Sequence, residues 1–141
     1  MTVCSKVLYG EVRVEAYDKV PELEGNGNQL NRENKQNAVV ARKTKDDVVT
    51  EETGPFALFS EKRNIHKFSA VSSCAILDVL GPPYCSSEGR EIAYYQEGRR
   101  IGVGGSEDED KDIPIYLLEQ INPPKDYVVE GREYTGQKVE V

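Results

Sequence analysis

The stretch NIHKFSAVSSCAILDVLGPPY, residues 64–84, carries the two most strongly apolar segments of the chain, IHKFSAV (65–71) and CAILDVL (74–80). Both read as strands, and GPPY stops the second because proline has no amide hydrogen to donate to a sheet ladder. A tight loop centred on Ser72 would pair Ala70 with Cys74, Phe68 with Ile76 and His66 with Asp78, and directly opposed residues share a face. Asp78 is the odd residue, since CAILDVL is otherwise apolar on both faces and a carboxylate buried there is costly unless paired. A histidine opposite it would supply the pair. A carboxylate on the far nitrogen of a ligating imidazole also fixes its tautomer and orientation. A purely structural histidine–aspartate bond fits the same pattern, and a lone histidine on a strand is more often structural than a ligand.

His66 is the only histidine in the sequence. Any Ser-His-Asp or Cys-His mechanism would therefore be built on it, and no nucleophile motif accompanies it. Tyr84 lies just past the second strand, where a loop can carry it to a pocket mouth. Tyr94 and Tyr95 add hydroxyls on the following segment, EIAYYQ (91–96).

Outward from this pair, short extended runs recur. EVRVEAY (11–17) alternates cleanly, with Val12, Val14 and Ala16 on one face and Arg13 and Glu15 on the other, the period of a half-buried strand. Residues 2–9, 38–44, 48–52 and 56–59 read as further strands, 113–121 as a strand in preference to a short helix, and DYVV (126–129) and KVEV (138–141) as short terminal strands. Residues 24–37 and the Gly-rich, acidic 102–112 read as surface loops. GVGG (102–105) is not followed by Lys and Ser/Thr, so a phosphate-binding loop is not indicated. Many short strands and no long amphipathic helix predict an all-β sandwich or barrel.

The length of 141 residues suits one domain, and 38% apolar with 30% charged residues predicts a modest core under long polar loops. Of the net charge of −7, residues 107–112 carry −4, so the acidity is local rather than a field over the domain. No basic stretch supports nucleic-acid binding, and no apolar run is long enough to span a membrane. Cys4, Cys74 and Cys85 show no zinc-type spacing, and with no signal-peptide pattern in MTVCSKVLYG they predict reduced thiols in a cytoplasmic or nuclear protein. Cys74 reads as a small buried apolar residue.

NIHKFSAVSSCAILDVLGPPY (64–84) and GREIAYY (89–95) resemble the plant cysteine oxidases and, more distantly, animal cysteamine dioxygenase. LLEQINPPKDYVV (117–129) resembles that family's C-terminal element, and MTVCSKVLYGEVRVEAYD (1–18) the strand pair following its metal motif. The resemblance implies a cupin-type jelly-roll barrel, one domain over 1–141. It implies one iron(II) held by three histidines, and addition of both atoms of O₂ to the N-terminal cysteine of a protein to give a sulfinic acid. In plants that oxidation marks proteins for degradation and so senses oxygen. His66 matches the third iron ligand, Asp78 a carboxylate near the iron that supports turnover, and Tyr84 a tyrosine at the active-site mouth.

The sequence also departs from the family's pattern. The His-x-His-Pro-Gly motif that carries the first two ligands is absent, so a barrel incomplete at its N-terminal end is expected. Lys62 and Arg63 stand where relatives usually carry Gly-Gly, and Ile92 where many carry cysteine. One imidazole does not make the three-ligand face of a non-haem iron site. The chain alone is therefore expected to be inactive, and a metal-free cupin remnant that binds peptides or proteins is the alternative.

Overall fold

Val12 and Val14 are all but inaccessible to solvent, as is Ala16, while Arg13 between them is exposed. The alternation in EVRVEAY thus does what its period predicts: one face of the strand lies against a second sheet. The computed structural model describes residues 1–24, 38–106 and 109–137. Its strands are β1 (Thr2–Tyr9), β2 (Glu11–Lys19), β3 (Ala38–Thr50), β4 (Phe56–Leu58), β5 (Ile65–Ala70), β6 (Ala75–Gly81), β7 (Tyr94–Ser106) and β8 (Glu109–Ile121), with one short helix, α1 (Pro21–Glu24). They form a three-stranded sheet, β4-β1-β6, and a five-stranded sheet, β5-β2-β3-β8-β7, antiparallel throughout. This is the all-β, cupin-type sandwich expected.

The core between the sheets is built from inward positions of both. Val7 of β1 meets Val12, Val14 and Val49, with Phe56, Phe68, Cys74 and Ile76 packed around them. Val3 and Leu58 close on Ala16 beside it. Burying each such aliphatic side chain stabilises the fold by about 1.5–3 kcal/mol. Cys74 is half-buried at the margin of this core, and the three cysteines are unpaired thiols.

The expected hairpin between β5 and β6 does not form. β5 pairs with β2, setting His66 opposite Ala16, and β6 pairs with β1, setting Asp78 opposite Ser5. The connection wraps another turn instead of closing on itself. The amides of Val71 and Ser72 donate to the Glu11 carbonyl at 2.9 and 3.4 Å, and the Ser72 hydroxyl accepts from the Glu11 amide at 3.0 Å. Gly10 makes this nesting possible. It has φ +78°, and a Cβ there would lie 2.2 Å from the Ser73 carbonyl oxygen. At this corner the chain passes from one sheet to the other, so β5 and β6 end as edge strands of facing sheets.

Other boundaries also differ from the sequence reading. β3 is one strand, continuous through Asp46 and Asp47, with a bulge opposite Ala16 and Tyr17. The expected loop at 102–112 is largely strand: β7 runs to Ser106 and β8 starts at Glu109, with 107–108 outside the described residues. At Gly104 the neighbours are close, since a Cβ would meet Ile115 Cδ1 at 3.1 Å, so a larger residue would need that side chain to give by a few tenths of an ångström. DYVV forms no strand. Val128 and Val129 are exposed, and the Tyr127 amide turns back to the Pro124 carbonyl at 3.1 Å. The strand expected at 91–96 begins only at Tyr94. The loop expected at 24–37 lies, beyond Glu24, outside the described residues, as does KVEV.

Candidate functional site

Two ladders decide where the candidate residues point. Along β1–β6, Val7 faces Ile76 and Ser5 faces Asp78; along β2–β5, Val14 faces Phe68 and Ala16 faces His66. Val7, Val14, Ile76 and Phe68 meet in the core between the sheets. Strand side chains alternate faces, so Asp78, two residues from Ile76, and His66, two residues from Phe68, enter the same inter-sheet space from opposite sheets. They thus stand on different sheets, in step with core residues, and not as the cross-strand pair that the hairpin register required.

Their hydrogen bonds differ from that register too. Asp78 is exposed rather than buried, and its Oδ1 accepts from the Ser5 hydroxyl at 2.6 Å. Ser5, 1% exposed, is a polar residue in an otherwise apolar inward row, Val3-Ser5-Val7. The only sequence signal for it was that break in the row. His66 is half-buried with its ring 5.3 Å from that of Phe68, and its Nδ1 lies 2.9 Å from the Asn64 carbonyl oxygen. A carbonyl only accepts, so Nδ1 carries the proton and Nε2 keeps its lone pair in the neutral ring.

The segment before His66 is held from both ends. Phe59 and Lys62 exchange backbone hydrogen bonds at 2.8 and 3.1 Å. Arg63 adopts φ +63°, and its amide donates to Asp18 Oδ1. The left-handed region costs an L-residue about 1–2 kcal/mol, which a charge-assisted bond to a carboxylate offsets. Arg63 Nε is buried without a hydrogen-bond partner among the described residues.

Tyr84 is 47% exposed on the loop after β6. That loop closes on itself: Cys85 and Arg90 exchange backbone bonds of 3.0 Å each, and Arg90 Nε donates to the Pro83 carbonyl at 2.8 Å. The Ser87 hydroxyl, 3.1 Å from Cys85 Sγ, holds that thiol below its ordinary pKa, helped by the Glu88 and Ser87 amides. Ile92 is exposed at 57%.

A second polar group lies on the other side of the five-stranded sheet. Lys43 Nζ sits 2.8 Å from both Glu15 and Glu97 and 5.1 Å from the ring centres of Tyr17 and Tyr116. Lys67 reaches Glu15 at 3.3 Å, and the Tyr17 hydroxyl donates to Glu97. The Lys43 bond draws the Glu15 carboxyl below its ordinary range, while burial and the Glu97 bond push the Tyr17 hydroxyl upward. Charges balance here and each polar group has a partner, as expected of a structural network.

Among the described residues no three His, Cys, Asp or Glu side chains gather in a set that holds a metal ion. His66 offers one donor, and the described residues do not fit a complete iron site. No helix among them is long and apolar enough to cross a membrane.

The PCO_ADO family model matches residues 1–139. Plant cysteine oxidase 1 of Arabidopsis thaliana is 34% identical to this chain, over 99% of the chain and 48% of the relative. Plant cysteine oxidase 2 of the same plant is 31% identical over 99% and 49%. The 2-aminoethanethiol dioxygenase of Mus musculus is 32% identical over 95% and 57%. The chain spans about half the length of these curated relatives.

Proposed function

Because the chain belongs to the PCO_ADO family, we propose that it forms part of a thiol dioxygenase whose substrate is the N-terminal cysteine of a protein. The reaction joins R–SH and O₂ into R–SO₂H: sulfur gains both oxygen atoms, the proton stays with the product, and no further reductant is consumed. The names of the relatives, a cysteine oxidase and an aminoethanethiol dioxygenase, share a thiol substrate. The observation that supports the reading is that His66 and Asp78 stand on the edge strands of the two facing sheets, in step with the core residues Phe68 and Ile76.

Iron(II) supplies the O₂ chemistry in such an enzyme. This chain offers His66 as one donor, with Nε2 free of any described hydrogen bond. Two further imidazoles must come from outside the 141 residues, since the sequence holds a single histidine. Asp78, bonded to Ser5, is in this reading the carboxylate near the iron that supports turnover. Tyr84 on its exposed loop meets the incoming peptide. The plant oxygen-sensing role and a cytoplasmic or nuclear location belong to this same reading.

The second reading, a metal-free module that binds peptides, is favoured by β6 itself. It is an edge strand whose Leu77 and Val79 are 53% and 62% exposed, an open template for an added strand. The test is to incubate the chain with iron(II), O₂ and a peptide beginning with cysteine, and to follow product by mass spectrometry. No gain of two oxygen atoms is expected from this chain alone. Substantial sulfinic acid would overturn the claim that one imidazole is insufficient, and peptide binding without iron would favour the second reading.

A further inference from the structure

Asp18 lies at the end of β2 away from Gly10, two positions beyond Ala16, the residue opposite His66. Among the described residues no hydrogen bond joins its carboxylate to the imidazole. It accepts the Arg63 amide and so holds Arg63 at φ +63°. The carbonyl of the next residue, Asn64, is the group 2.9 Å from His66 Nδ1. The direction of that carbonyl is set by the backbone at Arg63 and Asn64, and a non-glycine residue leaves the left-handed region when nothing holds it there.

We propose that Asp18 is a positioning residue for the His66 imidazole: through the Arg63 amide it aims the Asn64 carbonyl at Nδ1, fixing the ring in the Nδ1–H tautomer with Nε2 unprotonated. The inference rests on the reading of His66 as a working imidazole, but its test needs no metal and no turnover. It assigns a task to Arg63 as well. Where glycine would adopt this conformation freely, arginine depends on the carboxylate of Asp18. The device is separate from Asp78, which is engaged by Ser5.

Because His66 is the only histidine, its two ring nitrogens are assigned without ambiguity in a long-range nitrogen–proton NMR spectrum of the whole chain, recorded where the ring is neutral. The wild type is expected to show Nδ1–H in excess. Asp18→Ala should shift the ratio towards Nε2–H by about fivefold, the factor corresponding to one hydrogen bond of about 1 kcal/mol. Asp18→Asn, which retains an acceptor oxygen, should keep the wild-type ratio. Adding Arg63→Gly to Asp18→Ala should restore most of it, since glycine needs no carboxylate to hold the turn. A wild-type ring in the Nε2–H form overturns the proposal. So does an unchanged ratio in a folded Asp18→Ala chain. If Asp18→Ala does not fold, Asp18→Asn and the double variant decide: loss of the Nδ1–H excess in both refutes it. The tautomer result stands whatever the oxidation assay gives, so the two readings fail separately.

Discussion

Replacing Arg63 by glycine tests whether the turn ahead of His66 is strained by its residue type. Arg63 has φ +63° and a buried Nε with no partner among the described residues. Removing the left-handed penalty returns about 1–2 kcal/mol. Removing an unpaired buried donor returns about 1 kcal/mol more. Against these stand the greater freedom of glycine in the unfolded chain, about 0.5–1 kcal/mol, and the lost contacts of the arginine stem, about 1 kcal/mol. The net expectation is a stabilisation of about 1 kcal/mol, or about 3 °C in Tm for a chain of this size. Urea unfolding followed by circular dichroism measures it, with an unchanged m-value showing that only stability moved. A loss of 1 kcal/mol or more would refute the strain argument and show Arg63 to be a net stabilising contact.

Three further outcomes follow from the geometry. Lys43→Met removes the cation shared by Glu15 and Glu97 but leaves Glu15 its bond to Lys67 and Glu97 its bond from Tyr17, so it should cost about 1–2 kcal/mol, measured by the same denaturation. Glu15 titrates below its ordinary value in the fold, so its stabilisation is complete above the ordinary glutamate value and is lost as the pH falls through the lower, folded-state value. A urea midpoint that falls with acidification in the wild type, and less steeply in a Glu15→Gln variant, is the expected result. Ser5→Ala removes the 2.6 Å bond to Asp78 and should cost about 1 kcal/mol, because water can replace the hydroxyl at an exposed carboxylate. In NMR spectra the shift changes should centre on β6.

Local patterns carried much of this fold into the sequence. The two-residue period of 11–17 gave the buried face of β2, and GPPY gave the end of β6, because alternation and proline act on the residues that carry them. Strand partners were not legible in the same way. β5 and β6 look like a hairpin because only four residues separate them, yet Ser73 between them nests against Gly10, over sixty residues away. The Gly-rich 102–106 looked like a loop because what holds it extended, its pairing with β8, lies on another strand. Val128 and Val129 favour strand, but the segment that contains them finds no partner among the described residues.

The candidate site divides along the same line. His66, Asp78 and Tyr84 stood out as residue types and through the family resemblance. Ser5, Asp18 and the Asn64 carbonyl did not, because serine, aspartate and a backbone carbonyl acquire meaning only from what they face. Asp78 drew notice for a reason the structure corrects, since it is exposed and bound to Ser5 rather than buried against the histidine.

The central proposal is that this chain contributes one donor, His66, to an iron site that its other described residues do not complete. Anaerobic equilibrium dialysis against iron(II), comparing the wild-type chain with His66→Ala, tests it most directly. Iron well below one equivalent per chain, with little difference between the two proteins, is the predicted result. One equivalent of tightly held iron in the wild type, lost in His66→Ala, would contradict it.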